Sequence, residues 1–257
     1  MSFKGKVVLV TGASSGIGAD VAHHFATKLG AKVAIVGRNE NRLNNAAEEI
    51  KKCGGSTPLV ITADVTKDAA RIIDETIDEF GRLDVLINNA GYGDTTPILD
   101  ADIEIFDRLM DTNVRSVINL TKLATPYLEK TNGNVINVSS MAGIIPYKEH
   151  FYSISKAALN QFTKVMANEL GPRGIRINAI NPGFIKTGAF DAAGWTEEQK
   201  QKLFDKIGKK NPLGRIGEVT DTTKLMAFLA SDEAAFITGC LYVVDGGGMA
   251  ANNFNQD

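Results

Sequence analysis

KVVLVTGASSGIG, residues 6–18, joins a short Val- and Leu-rich run to a glycine-rich turn, and a helical pattern follows at once. Four consecutive apolar residues at 7–10 suit a strand covered on both faces rather than one with a wet face. In the turn Thr11-Gly12-Ala13-Ser14-Ser15-Gly16-Ile17-Gly18, glycine lets the backbone bend tightly and come close to a ligand. A helix that starts there offers unpaired N–H groups and the positive end of its dipole, which together favour a pyrophosphate. An ordinary glycine-rich loop is the bland alternative, and the strand–turn–helix context weighs against it.

Outward from that turn, β-rich runs alternate with amphipathic stretches almost to the end of the chain. They lie at 6–10, 32–36, 58–62, 83–87, 134–138, 175–180 and 240–244, and most are near-continuous in Val, Ile and Leu. Seven buried strands separated by helical segments predict a parallel sheet with right-handed crossovers. The expected fold is a single-domain, doubly wound α/β domain of Rossmann type spanning 1–257, with helices on both faces. Helix ends are marked at Leu29-Gly30 and at Leu170-Gly171-Pro172. Residues 184–211 are long for a plain connection and hold the only Trp, so they are a candidate substrate lid.

Composition narrows the function classes. With 28 basic and 30 acidic side chains the net charge is -2, which gives no footprint for nucleic acid or an anionic membrane. A small-molecule partner is the default. Cys53 and Cys240 belong to no paired motif, and His23, His24 and His150 form no ligand constellation, so neither a disulfide framework nor a metal site is expected. The opening run is too short for a signal peptide and no apolar stretch reaches the roughly 18 to 20 residues that span a bilayer. A soluble, cytoplasmic protein is the expectation.

About twenty residues past the glycine turn, an acid would read a ribose 2'-hydroxyl, but the second strand ends in Gly37-Arg38-Asn39. Arg38 cannot accept from a hydroxyl but can pair with a 2'-phosphate, so NADP(H) is favoured and NAD(H) stays open. A solvated strand-end charge is the competing explanation. Further along, Tyr152 and Lys156 are four residues apart and share one helical face. A free phenol, with a pKa near 10, is a poor proton shuttle at neutral pH, and a fixed cation beside it favours the phenolate. Tyr152 then donates to a developing alkoxide or accepts from an alcohol. On its own the pair is weak, since Tyr and Lys on one face are usually a surface pair. Ser139-Ser140 closes the preceding strand at the carboxyl edge where ligands bind, and a serine there can steady negative charge on a substrate oxygen or merely cap a turn.

Taken together these residues resemble the classical short-chain dehydrogenase/reductase family over about residues 5–248. The motifs are Thr11 to Gly18, Asp64-Val65, Asn88-Asn89-Ala90-Gly91, Asn113, Ser139-Ser140, Tyr152 with Lys156, and Pro182-Gly183-Phe184-Ile185-Lys186-Thr187. The resemblance implies that Gly12, Ser14, Ser15, Gly16, Ile17 and Gly18 cradle the dinucleotide beside Arg38 and Asn39, while Asp64 and Val65 bracket its adenine. It implies that Asn89, Ala90 and Gly91 support the cofactor wall, that Pro182, Gly183, Ile185 and Thr187 line the nicotinamide, and that Lys156 also binds the nicotinamide ribose. Asn113 resembles the helix residue that holds a relay water for Lys156. In the family the catalytic serine is commonly the second of its pair, thirteen residues before the tyrosine. Here Ser140 is the second but stands twelve before Tyr152, and Ser139 stands thirteen before it. Because the strand fixes its own last residues and loops absorb deletions, Ser140 is preferred.

The expected activity is therefore hydride transfer between NADP(H) and a carbonyl or secondary alcohol. A dinucleotide-sensing binding protein without turnover is the alternative, disfavoured by the complete set of Asn113, Ser140, Tyr152 and Lys156. The resemblance implies a homo-oligomer, dimer or tetramer, through the segment ending in Val243-Val244-Asp245-Gly246-Gly247-Gly248. The substrate pocket is expected from the 92–98 loop, the residues after Ser140, and the lid, where Phe184, Phe190 and Trp195 suggest an apolar surface. His150 is a further, less favoured, candidate for substrate contact.

Overall fold

The computed structural model describes residues 1–147, 150–188 and 196–251. Strand β1 is Val7–Thr11, and it sits inside one seven-stranded sheet with β2 (Lys32–Gly37), β3 (Leu59–Thr62), β4 (Val85–Asn88), β5 (Asn134–Val138), β6 (Arg176–Pro182) and β7 (Leu241–Val244). All neighbours are parallel and the order across the sheet is β3-β2-β1-β4-β5-β6-β7. The expected seven strands are all present, with most ends displaced by one or two residues.

Alternation along β1 explains why both faces must be covered. Val8 and Val10 enter one core with Val21 and Phe25 of α1 (Gly16–Thr27), Leu43 and Ile50 of α2 (Glu40–Lys52), and Met226 and Leu229 of α8 (Val219–Ala230). Val7 and Leu9 enter the other with Ile72 and Ile73 of α3 (Ala69–Phe80), Leu120 and Leu128 of α5 (Ser116–Glu129), and Leu170 at the end of α6 (His150–Leu170). Each such side chain contributes roughly 1.5–3 kcal/mol when fully buried. A helix placed on only one face would leave half of β1 wet.

The remaining helices are α4 (Ile103–Met110) and α7 (Glu197–Lys210). Between α4 and α5 the chain passes through a π-helical turn at Asp111–Arg115. The end of α1 follows expectation: Gly30 takes φ +76°, and the Ala31 N–H reaches back to Phe25 O at 2.9 Å. The end of α6 differs in detail. Leu170 is its last residue, but Gly171–Arg173 then forms a 3-10 turn with Pro172 inside it, and Gly174, not Gly171, takes the left-handed conformation at φ +75°. Pro172 has no N–H to give, which the first positions of a helical turn do not need.

Seven strands in this order place the topological switch between β1 and β4, which leave in opposite directions from the middle of the sheet. The crevice outside their carboxyl ends is the ligand position in such folds.

Candidate active site

A cleft of about 380 Å³ opens there. Gly12, Ser15, Gly16 and Ile17 line it from the first turn, Asn89, Ala90 and Gly91 from the end of β4, and Ser139 and Ser140 from the end of β5. Tyr152 and Lys156 enter it from the first turns of α6, and Pro182, Gly183, Ile185 and Thr187 from the end of β6. Five chain segments far apart in sequence thus meet at one sheet edge. A larger hollow, about 570 Å³, lies at the amino ends of the strands. Its charged groups are committed to one another and to main chain: Lys6 lies 3.4 Å from Asp232, Asp84 holds Arg82, and Arg176 donates to three carbonyls.

The glycine turn is shaped by close approach. A Cβ on Gly18 would stand 2.4 Å from both Asn89 Nδ2 and Gly12 O, and one on Gly12 would stand 2.9 Å from Ala90 Cα. Asn89 Nδ2 donates to Thr11 O and Gly12 O at 2.9 and 3.1 Å, while Thr11 Oγ1 accepts from the N–H groups of Asn89 and Ala90, both at 3.0 Å. The β1 turn and the β4 end are therefore stitched into one wall. Ser15, the N-cap of α1, makes no side-chain cap bond, and Ser15, Gly16 and Ile17 line the cleft, so the start of α1 opens onto it, an arrangement that fits a dinucleotide's pyrophosphate. Thr187 stands over the same turn, 3.2 Å from where a Gly16 Cβ would be.

Not every residue singled out from the sequence reaches the cleft wall. Gly18 is buried behind the turn, and Ser14 sits against the end of β2, 3.4 Å from a Cβ placed on Gly37. Arg38 is exposed at that strand end, and Asn39 caps α2 by accepting from the Arg42 N–H at 3.0 Å. Asp64 and Val65 follow β3 further to the side. Burial opposes ionisation of Asp64, but bonds from the Thr66 N–H and hydroxyl and the charges of Arg38 and Lys67 hold its pKa below the usual value. Arg42, Val138 and Gly188 line the cleft and were not anticipated. Arg42 had a signal, as the first-turn arginine of the helix that Asn39 caps.

At the other end of the cleft the helical spacing of four brings Lys156 Nζ to 5.6 Å from the centre of the Tyr152 ring. Lys156 is 4% exposed and donates to Val138 O at 2.9 Å. Burial lowers its pKa from 10.5 to about 8. Gly91 must lack a side chain here, since a Cβ would stand 2.9 Å from Asn113 Oδ1 and 3.3 Å from Lys156 Nζ. Asn113 is fully buried in the π turn; it donates to Tyr92 O and Ser155 Oγ and accepts from the Tyr92 N–H. Its side chain thus clamps the start of the 92–98 loop.

The two serines differ in what their hydroxyls do. Ser139 is buried and donates to Lys156 O at 3.1 Å. Ser140 Oγ accepts from the Ala142 N–H at 3.1 Å, capping the 3-10 turn Met141–Gly143, so its own hydrogen is not used in that bond. The lid segment is anchored where it leaves and rejoins the fold: Gly217 N–H donates to Phe184 O and Lys186 N–H to Gly217 O. Half of its length is α7, while Phe190 and Trp195 lie outside the described residues. His150, at the start of α6, accepts the Ile98 N–H on Nδ1 at 3.3 Å and so ties the 92–98 loop to the helix that carries Tyr152.

Comparison with known proteins places this geometry. The family model described as enoyl-(acyl carrier protein) reductase matches residues 12–248, which takes in the glycine turn, Ser140, Tyr152 and Lys156. The chain is a classical short-chain dehydrogenase/reductase. An uncharacterized oxidoreductase of Thermotoga maritima is 40% identical over 97% of this chain and 100% of that protein. A 3-oxoacyl-(acyl-carrier-protein) reductase of the same organism is 35% identical over 96% and 99%. Among solved structures, a short-chain dehydrogenase/reductase of unknown function from Caenorhabditis elegans, with cofactor, superposes with a TM-score of 0.90 at 35% identity, covering 96% of each chain. A 7α-hydroxysteroid dehydrogenase with NADH and 7-oxo glycochenodeoxycholic acid superposes with a TM-score of 0.88 at 33% identity, covering 96% and 95%. Such a short-chain dehydrogenase/reductase is an oxidoreductase of alcohol and carbonyl substrates, and nicotinamide cofactors are general to the family.

Proposed function

We propose that this chain reduces a carbonyl compound, or oxidises the corresponding secondary alcohol, with NADP(H), and that Tyr152 is its general acid and base. The observation that carries the proposal is the meeting of Tyr152, Lys156 and Ser140 in the same cleft as the glycine turn. A binding protein has no need to bury an ammonium beside a phenol at the cleft wall.

The bound nicotinamide supplies the hydride donor and acceptor. Gly12, Ser15, Gly16 and Ile17 hold the dinucleotide's phosphates through main-chain N–H groups. Pro182, Gly183, Ile185 and Thr187 shape the wall for the nicotinamide, with Asn89 to Gly91 opposite, and Asp64 and Val65 flank the adenine. Ser140, with its hydrogen available, and Tyr152 together orient the substrate oxygen, and Tyr152 Oη gives it a proton as negative charge develops. Lys156 favours the phenolate left behind and steadies the nicotinamide ribose. Asn113, whose Oδ1 accepts only the Tyr92 N–H and keeps a second lone pair, holds the relay water that links Lys156 to solvent.

Preference for the phosphorylated cofactor rests on Arg38, exposed at the end of β2 with no acid beside it in sequence. The test is nicotinamide absorbance with a panel of ketones and alcohols, using wild type, Tyr152→Phe and Arg38→Ala. Turnover is expected with wild type and a loss of about a thousandfold in Tyr152→Phe. Arg38→Ala is expected to raise KM for NADPH and leave that for NADH. Unchanged turnover in Tyr152→Phe overturns the acid–base assignment, and equal use of both cofactors by wild type overturns the cofactor assignment.

A further inference from the structure

Between Tyr152 and Lys156 the helix carries two serines, and their hydroxyls are used differently. The Ser153 hydroxyl oxygen is buried and has no hydrogen-bond partner among the described residues. Ser155 is fully buried and uses its hydroxyl in both directions: it donates to Tyr152 O at 2.7 Å and accepts from Asn113 Nδ2 at 3.0 Å. The first bond is ordinary for a serine inside a helix, whose hydroxyl readily returns to a carbonyl of the preceding turn. The second is not local, since it joins α6 to the π turn at Asp111–Arg115, across 42 residues of chain.

That second bond fixes a carboxamide. Because its one hydrogen goes to Tyr152 O, the Ser155 hydroxyl offers Asn113 a lone pair alone, so Asn113 must turn an N–H towards it. The other Asn113 N–H goes to Tyr92 O at 2.9 Å, and Oδ1 accepts the Tyr92 N–H at 3.1 Å. Oδ1 is thereby set towards Lys156: a Cβ on Gly91 would stand 2.9 Å from Asn113 Oδ1 and 3.3 Å from Lys156 Nζ, so the two atoms flank one point. Without the Ser155 hydroxyl the carboxamide keeps only its bonds to the Tyr92 main chain, and one buried N–H loses its partner. Two bonds to one residue let the amide move with the 92–98 loop, whereas the third ties it to the helix that carries the reacting groups.

We infer that Ser155 is a positioning residue for proton transfer, fixing the Asn113 carboxamide beside Lys156 so that the phenol is recharged from solvent. The inference rests on the hydride-transfer function proposed above and adds a residue to it. In ketone reduction Tyr152 Oη gives its proton to the substrate oxygen, and the phenolate takes one back by way of Lys156 and the water that Asn113 holds. One proton thus leaves solvent for each alcohol formed. Ser155 is not among the residues that line the cleft, so it acts through the direction in which Asn113 Oδ1 points.

The test compares wild type, Ser155→Ala, Asn113→Ala and the double variant, with NADPH and a ketone of the panel that wild type turns over. Ser155→Ala is expected to lower kcat about tenfold, with the Kd for NADPH, read by nucleotide fluorescence, within about twofold of that of wild type. The solvent deuterium isotope effect on kcat is expected to rise, because return of the proton becomes the slower step. The double variant is expected to lose no more than Asn113→Ala alone, since the two residues act as one unit. Ser153→Ala, which removes a hydroxyl from the same helical turn, is expected to match wild type in kcat and isotope effect. A Ser155→Ala protein that melts earlier but keeps the wild-type kcat and isotope effect overturns the inference and leaves Ser155 a structural residue. A lowered kcat with an unchanged isotope effect, a weakened NADPH affinity, additive losses in the double variant, or an equal loss in Ser153→Ala overturns it too. If Asn113→Ala does not fold, the isotope effect of Ser155→Ala decides alone. Turnover that depends on Tyr152 but not on Ser155 refutes the positioning role only. No Tyr152-dependent turnover of any ketone or alcohol refutes the hydride-transfer reading, and this inference with it.

Discussion

Burial of the Lys156 ammonium, which brings its pKa down to about 8, works against the fold at neutral pH. Below pH 8 folded and unfolded chains both hold the proton, so the native state bears the full penalty of the buried charge. As pH rises from 8 towards 10.5 the native state releases the proton first and the penalty is relieved, a change of about 3 kcal/mol in favour of folding. Lys156→Met should therefore be more stable than wild type at pH 7, by roughly 1–3 kcal/mol in urea unfolding, while its turnover drops by about a hundredfold or more. The stability gap should close by pH 10, and a gap of equal size at both pH values would refute burial as its origin. The serines separate in the same way. Ser140→Ala should lose about a hundredfold in turnover. Ser139→Ala, which breaks the bond to Lys156 O, should lose about 1 kcal/mol of stability and far less activity. A larger turnover loss in Ser139→Ala would reverse the assignment.

Between residue and molecule, the glycine turn and the helix that follows it act as one element, and its glycines are needed for different reasons. Gly18 has neighbours that cannot yield, because the Gly12 carbonyl is main chain. Gly18→Ala should weaken NADPH binding, read by nucleotide fluorescence, by tenfold or more, a loss of about 1.4 kcal/mol or greater. Gly30, at the far end of the same helix, has only its φ of +76° to justify it, with Lys4 Cα no nearer than 3.8 Å to an added Cβ. Gly30→Ala should cost about 1 kcal/mol of stability and leave NADPH binding unchanged. If both variants behaved alike, close packing would not be what distinguishes the turn.

For the molecule as a whole, the segment that rejoins the fold after the lid is held by Arg215 and Asp221, whose paired bonds measure 2.6 and 2.9 Å. Hydrogen bonding from Arg215 is the main reason that the Asp221 pKa lies at about 2. A depressed carboxylate stabilises the fold above its ordinary pKa of 3.8, and that stability is lost as pH falls from 3.8 to 2. Since the Arg215 side chain is about half exposed, the contribution is about 1 kcal/mol after solvent screening. Arg215→Ala should unfold more readily than wild type at pH 6 and equally at pH 2, as measured by thermal unfolding. A difference that persisted at pH 2 would point to lost packing instead.

Local chemistry made much of this architecture legible. Near-continuous Val, Ile and Leu marked most of the strands, since a strand covered on both faces has no wet side to alternate with. The glycine turn was legible because strand, turn and helix are consecutive in the chain, and the Tyr152–Lys156 juxtaposition because four residues make about one helical turn. Contacts between segments distant in sequence carried no comparable signal. That Asn113 would commit its amide to Tyr92 and Ser155, that Ser139 would turn to Lys156 O while Ser140 capped a turn, and that Arg42 would reach the cleft all depended on how α2, α5 and α6 pack against the sheet. Propensity and periodicity are properties of neighbours along the chain, and hydrogen-bond partners are chosen only once the sheet order has brought distant neighbours together.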